Sequence, residues 1–474
     1  MGHASDAELQ KAIDFHRSGR APEAEALYRA FLRTNPHHGE ANHNLGALLA
    51  QRGEMQQSLP FFQAALRGDT SQGQYWLSYA RALLSAGQDA EALTLLNQGR
   101  QRGLAGAAAD ALLAKALMSA GRFDEAQAVL QGAVAQHPRN ASLFFDLGYA
   151  CTVQGKFDEA IAAYRSALAI QPDFAEAHFR LGSLLSENGH IAEGFAHYMR
   201  RAALVHGTGK TPLPLKPEPE HKLKHDREQR DYLAGGTAAP DAPSVRDMFQ
   251  LEDGDRIEGA AVNPAGSGLM DQWRRSRPQM VVIDEFLTPP ALERLRRYCA
   301  GSTIWRRIYE AGYIGATPED GFACPLLAQI AEEIPRAYPE ILGPHPLRYL
   351  GAFKYDSTLS TGTNTHADNS AVNVNFYLAP DDANLDPQSG GMDIWDVAVP
   401  PDEDMRKYNG DEALARDFLG RSNAHLTRIP HRANRAVIFR SDLFHKTSDC
   451  QFREGYLNKR INVSLLYGRR GAAT

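Results

Sequence analysis

Gly155-Lys156-Phe157-Asp158-Glu159-Ala160-Ile161-Ala162-Ala163-Tyr164 decides how the first half of this chain folds. Its glycine is one of six that stand 34 residues apart: Gly19, Gly53, Gly87, Gly121, Gly155 and Gly189. Five residues after each comes a small residue: Ala24, Ser58, Ala92, Ala126, Ala160 and Gly194. Small residues also recur at Gly46, Ala80, Ala114, Gly148 and Gly182, at the same interval of 34. Pro36, Pro138 and Pro172 share one phase near the repeat ends. The residue types suggest a unit of two antiparallel helices. A left-handed glycine closes the turn after the first helix. Small residues lie where the two helices cross closely, and proline stops the second. A generic helical bundle has no reason to repeat one spacing six times, so a repeat array is the expected architecture.

The segment from Phe157 to Tyr164 resembles the tetratricopeptide repeat. Six such units cover roughly residues 5–205, and the first domain is taken as residues 1–205. The resemblance implies an α-helical solenoid whose concave face holds a peptide or a partner protein. Self-association as a homodimer, or bracing of a neighbouring domain, is the other use of such an array.

At 474 residues the chain has room for two or three domains. Hydrophobic residues make up 43% and charged residues 23%, as in ordinary globular proteins. A net charge of −6 gives no basic excess for nucleic acid. The four cysteines (Cys151, Cys299, Cys324, Cys450) have neither metal spacing nor the density of a disulfide framework. The start MGHASDAELQ lacks the apolar core of a signal peptide, and its hydroxyl residue, Ser5, stands one position early for myristoylation. No apolar run has the length of a membrane span. No membrane association and a cytoplasmic location are therefore expected.

After Val205 the period breaks, and residues 206–275 read as a linker. Pro212, Pro214, Pro217 and Pro219 suggest an extended connector, residues 222–233 a short charged helix, and residues 234–270 loop. A connector of this length is expected to pack partly on one domain. Residues 276–474 form the last domain, in which strands are expected at 280–286, 347–355, 371–378, 391–397, 436–439 and 460–467. Helices are expected near 291–300 and 326–334, with a polar helical insertion near 400–425. Short strands after flanking helices fit a jelly roll. The chain as a whole is expected to be multidomain, α followed by β.

His366-Ala367-Asp368 sets an imidazole and a carboxylate two residues apart, so in an extended segment they point the same way. His445 comes 79 residues later, after the apolar strand 436–439 and a short turn. Two histidines and one carboxylate on one face of an iron leave three positions open. Two suit the keto and carboxylate oxygens of 2-oxoglutarate, and the third suits dioxygen. The spacing alone is weak, since His38-Gly39-Glu40 makes a comparable HxE inside the repeats. Context adds Arg460: alternation groups it with Asn462 and Ser464 on one face of its strand, opposite Ile461, Val463 and Leu465. A buried arginine requires an anion, and the distal carboxylate of 2-oxoglutarate fits its fork. A structural cluster, a zinc site and a plain Arg460 salt bridge are the competing readings.

Residues 276–470 resemble the 2-oxoglutarate/iron(II) oxygenase superfamily on its prolyl-hydroxylase-like side. The resemblance rests on Phe353-Lys354-Tyr355, His366-Ala367-Asp368, Gly390-Gly391, Asn434-Arg435-Ala436-Val437-Ile438-Phe439, Leu443-Phe444-His445 and Arg460. It implies a double-stranded β-helix, with iron(II) on His366, Asp368 and His445, and 2-oxoglutarate and dioxygen as co-substrates. It also implies co-substrate contacts from Arg460 and Tyr355. Asn462 stands where relatives often have serine, and Asn373 or Asn375 is expected to touch co-substrate or substrate unless its role is structural. Tyr355 lies eleven residues before His366, and Arg460 lies 15 after His445, with 450–458 as an insertion. Halogenating relatives have a small residue in place of the carboxylate, so Asp368 implies hydroxylation. Three functions follow: a peptide or protein hydroxylase whose repeats dock the substrate, an oxygenase of small metabolites with repeats for assembly, or a non-enzymatic binding protein with a vestigial barrel. Trp395 is expected at the substrate mouth or in packing, and His425 and His431 at the surface or in loops.

Overall fold

The computed structural model describes residues 2–207, 217–239, 244–356 and 363–471. Pro212 and Pro214 of the expected connector lie outside them. The chain divides into two compact units, residues 1–172 and 173–474.

The first unit is five helix pairs: Gly2–Arg17 with Ala21–Thr34, Gly39–Gln51 with Met55–Gly68, Gly73–Ser85 with Asp89–Gln101, Ala107–Ser119 with Phe123–Gln136, and Ala141–Val153 with Phe157–Ile170. The turn glycines have φ between +72° and +86°, where a side chain is strained. A Cβ on Gly148 would stand 2.7 Å from the Tyr164 ring, so this glycine is the notch that admits the tyrosine. Burying Tyr164, 1% exposed, stabilises the pair by about 2–3 kcal/mol. His38 of the HxE decoy caps a helix, Nδ1 accepting the Ala41 N–H at 3.3 Å.

The sixth pair, Ala175–Glu187 and Ile191–His206, belongs to the second unit, so the compact units do not divide at the expected 205/206. The reason is apolar: Ile191, Phe195 and Tyr198 join one buried cluster with Leu326, Ile330 and Leu350. The charged helix Glu220–Leu233 also packs on this unit: buried Gln229 donates to the carbonyl of Ser302 at 2.8 Å.

Among the described residues ten strands follow: β1 (Met280–Ile283), β2 (Arg307–Tyr309), β3 (Tyr313–Ala316), β4 (Leu347–Tyr355), β5 (Val372–Tyr377), β6 (Met392–Ala398), β7 (Leu426–Ile429), β8 (Ala436–Arg440), β9 (Leu443–Thr447) and β10 (Ile461–Tyr467). They form two antiparallel sheets, in the orders β1-β8-β5-β10-β4-β3-β2 and β7-β6-β9. Val374, Phe376, Ile438, Val463 and Leu465 cover one face of the large sheet, with helices Pro289–Gly301 and Pro325–Ala337 against them. On the other face Tyr377, Val437 and Phe439 meet Met392, Ile394 and Ile429 of the small sheet. β1 stops before the expected residue 286 because Glu285 takes a left-handed φ of 55°. The β2–β3 hairpin, β7 and the helix Leu269–Arg275 were not expected from the sequence. Among the described residues no helix is long and apolar enough to cross a membrane.

Candidate metal centre

His366 pairs with His445 as an antiparallel bridge: the His366 N–H donates to the His445 carbonyl at 3.0 Å, and the His445 N–H donates back at 2.8 Å. The Asp368 N–H reaches the Ser441 carbonyl at 2.8 Å. These backbone bonds fasten the HxD segment to β9 and the turn before it. Alternation then turns His366 and Asp368 one way and Ala367 the other. Ala367 is buried under the polar insertion, against Met405, Tyr408 and Leu419. Asn409 clamps Ala367 through both backbone groups, at 3.0 and 2.8 Å. Glu412 accepts from the Thr365 backbone at 2.6 Å. The insertion expected near 400–425 (helices Arg406–Asn409 and Glu412–Arg421) thus braces the HxD segment from behind.

One ligand atom each from His366, Asp368 and His445 lies within 4.8 Å of the other two. His366 Nδ1 lies 2.9 Å from the Asn364 carbonyl, and His445 Nδ1 lies 2.9 Å from the Leu443 carbonyl. A carbonyl only accepts, so in its neutral form each ring carries its proton on Nδ1 and leaves the Nε2 lone pair available to a metal. His445 Nε2 lies 3.3 Å from Asp368 Oδ2. Burial, and then His445, hold the His366 imidazole below its ordinary pKa. Burial pushes the Asp368 carboxyl up, but His445, His366 and the Asn373 amide outweigh it and bring it below its ordinary value. Asn373 Nδ2 donates to Asp368 Oδ2 at 2.8 Å.

The three side chains open into a cavity of about 260 Å³ between the two sheets. Tyr355, Asn373, Asn375, Asn462 and Ser464 line it from the large sheet, and Thr447 from the small one. Asn375 Nδ2 donates to Ser464 Oγ at 2.7 Å, and the Tyr355 hydroxyl meets Thr447 Oγ1 at 3.0 Å. The buried Oδ1 atoms of Asn373 and Asn375 make no hydrogen bond with any described residue. Arg460 is 1% exposed and lies behind this wall rather than on it. It donates to the carbonyls of Gly390 (2.6 Å) and Gly391 (3.1 Å) and to Asn462 Oδ1 (2.7 Å). Its guanidinium lies over the rings of Tyr355 (4.5 Å) and Tyr377 (5.2 Å). Among the described residues it pairs with no carboxylate.

Tyr377 was missed, although alternation from Asn373 and Asn375 carries straight to it. Its hydroxyl is buried and completes no hydrogen bond among the described residues, and burial pushes it up to about 12 against the pull of Arg460. His431, expected at the surface or in a loop, lies in the loop between β7 and β8 and is buried there: Nε2 lies 3.2 Å from the Ala379 carbonyl, and its ring packs edge-on against Phe452. His425 is exposed beside Asp396 at 3.3 Å. Trp395 packs against the insertion cluster and does not line the cavity.

The tetratricopeptide-repeat profile matches residues 9–73 and 111–173, and a second profile of that repeat matches 153–194. No curated protein matches the chain. Solved structures similar to part of it include YrrB, a TPR protein with an unusual peptide-binding site, at 18% identity over 37% of this chain and 91% of that one, TM-score 0.31. MamA from Desulfovibrio magneticus RS-1 is 18% identical over 36% of this chain and 98% of its own, TM-score 0.33. The thermophilic TPR protein TTC0263 from Thermus thermophilus is 24% identical over 35% and 91%, TM-score 0.32. With the 34-residue period and the paired helices, the profile matches identify the N-terminal region of this chain as a tetratricopeptide-repeat array.

Proposed function

We propose that the sheet-rich unit is an iron(II)- and 2-oxoglutarate-dependent dioxygenase with a double-stranded β-helix fold. In this reading it hydroxylates a peptide or protein side chain that the repeats help to dock. The supporting observation is the convergence of two Nε2 lone pairs and one carboxylate beside a buried arginine that lacks a carboxylate partner.

The donor set fits the group. Two imidazoles and a carboxylate suit non-haem iron(II) and leave positions for other ligands. The Tyr377 hydroxyl, buried and without a hydrogen-bond partner among the described residues, is the kind of donor a carboxylate satisfies. His366, Asp368 and His445 would hold the iron. Iron(II) with 2-oxoglutarate and dioxygen supplies conversion of 2-oxoglutarate to succinate and carbon dioxide, with the second oxygen atom inserted into a substrate C–H bond. The chain's own part is orientation and exclusion of water. The Asn364 and Leu443 carbonyls fix the imidazole tautomers, and Asn373 holds the Asp368 carboxylate. Arg460, with Tyr377, is the cationic end toward which a dicarboxylate would point. Reaching it requires Tyr355 or Asn462 to shift, since they separate it from the cavity.

The cavity's small volume, about 260 Å³, favours as a second reading a small metabolite as substrate, with the repeats used for assembly. Anaerobic titration with iron(II) and 2-oxoglutarate, then succinate measurement in air, tests the activity. Saturable binding and succinate formation that vanish in Asp368→Ala are expected; no binding leaves a non-enzymatic protein with a vestigial barrel. Removing residues 1–172 separates the substrate classes. Lost turnover with intact co-substrate binding supports docking, and unchanged turnover supports the small metabolite.

A further inference from the structure

Alternation along β4 turns Phe353 and Tyr355 toward the candidate metal centre and Lys354 to the opposite side of the sheet. Lys354 is only 2% exposed. A buried ammonium carries three donors and needs acceptors, yet Lys354 makes no ion pair or hydrogen bond with any described residue. The carboxylates around it are already engaged. Asp226 pairs with Lys222, Glu228 with Lys459 at 2.9 Å, and Asp356 with Lys224 and Lys459 at 2.9 and 3.0 Å. What Lys354 has instead is aromatic: Nζ lies 3.5 Å from the Tyr456 ring centroid and 5.3 Å from that of Trp305.

Lys354 lines a cavity of about 280 Å³, with Ala300, Leu378, Pro380, Leu457 and Ile461 among its apolar walls and the Arg297 and Lys459 cations and the Glu293 carboxylate among its charged ones. Arg296 lines it too, donating from Nε to the Leu378 carbonyl at 2.6 Å and pairing with no carboxylate among the described residues. Tyr232 and Leu457 stand at the edge, 39% and 59% exposed, an apolar margin open to solvent. Cations on largely apolar walls match a ligand with one anionic end and an apolar body. Inorganic phosphate fits poorly, because apolar walls do not replace its hydration.

We propose that this cavity binds a small organic carboxylate with an apolar body, its carboxylate paired with Lys354 and Arg296 and its body against Leu378, Leu457 and Ile461. The site stands apart from the proposed iron chemistry. The groups facing the amine are Lys459, Cys299, Glu228, Asp226 and the buried His225, with Arg296 across the cavity. Burial first, and then Lys459, hold the amine well below its ordinary range. An arriving carboxylate favours the charged form, so binding takes up protons.

The test is calorimetry on the full chain, without iron or 2-oxoglutarate, using octanoate as probe and octan-1-ol and inorganic phosphate as controls. Octanoate is expected to bind at least tenfold tighter than octan-1-ol, phosphate not to compete, and Arg296→Gln to weaken octanoate several-fold. Lys354→Met is expected to weaken it at least tenfold, and replacing an unpaired buried amine with an apolar chain leaves the fold at least as stable. Buffers of different ionisation heat are expected to show more proton uptake on octanoate binding in the parent protein than in Lys354→Met. Equal affinity for octanoate and octan-1-ol, displacement by phosphate, or no heat at millimolar octanoate overturns the proposal in the unmodified protein alone. Unchanged affinity in Lys354→Met overturns it as well.

Discussion

Tyr164 and Tyr377 are both buried tyrosines, and they show how differently the two units use a hydroxyl. Tyr164 fills the notch at Gly148 in the neighbouring helix, and its hydroxyl meets Thr152 Oγ1 at 3.4 Å. Both of these partners lie within the same repeat. Tyr377 lies under the guanidinium of Arg460, the residue just before the last strand, and its hydroxyl completes no hydrogen bond among the described residues. The repeat unit satisfies such groups locally, as a solenoid must when each repeat meets only its neighbours. The sheet-rich unit gathers residues from distant strands and leaves buried polar atoms open, which is where a ligand gains most by arriving.

The sharpest way to break this contrast is Asp368→Ala. Iron(II) affinity is expected to fall by about 100-fold or more, with succinate formation lost. Unfolding of residues 1–172, followed by circular dichroism, should not change. Arg460→Met comes next: 2-oxoglutarate affinity in calorimetry is expected to drop about 10- to 100-fold, the worth of a charge-assisted contact. Iron affinity should stay. If 2-oxoglutarate binding survives intact, Arg460 serves only to tie Gly390, Gly391 and Asn462 together.

The third test is by pH. Burial, then Arg460, holds His431 down to about 4 from an ordinary value of 6.5. A histidine depressed in the folded state binds fewer protons there than when unfolded. Its contribution is therefore complete above pH 6.5 and is lost as the pH falls toward 4. At most about 3 kcal/mol is at stake. Denaturant melts of the sheet-rich unit should show the loss, and His431→Asn should flatten it. A slope unchanged by that substitution would place the titration elsewhere. The smallest effect expected is on the local side of the comparison. Gly148→Val forces a side chain against the Tyr164 ring and should destabilise residues 1–172 by about 2 kcal/mol. Iron and 2-oxoglutarate binding should be untouched.

What could be read in advance follows the same division. The glycine period placed the six turns because each needs a left-handed residue, a requirement the sequence states outright. Strand β4 was legible to the residue, being long and ending in strong β formers. The hairpin of β2 and β3 was not, since Arg307-Ile308-Tyr309 carries no alternation over three residues. The HxD pair and His445 stood out by chemistry and spacing. The placement of Arg460 behind Tyr355 and Asn462 did not, because alternation gives the face of a strand and not the depth of a side chain. The loop position of His431 was legible but its burial was not, because its partner is the Ala379 carbonyl, and a carbonyl has no sequence signature.

The sixth helix pair carries a practical and a historical consequence. Ile191, Phe195 and Tyr198 are part of the hydrophobic interior that also holds Leu326 and Ile330. Any expression fragment that begins after residue 205 strips that interior of one wall and invites aggregation, whereas one that begins near Asp173 keeps it whole. If the array has grown by copying its 34-residue unit, the copies fall within residues 1–172, a compact unit of its own, and leave this interior untouched.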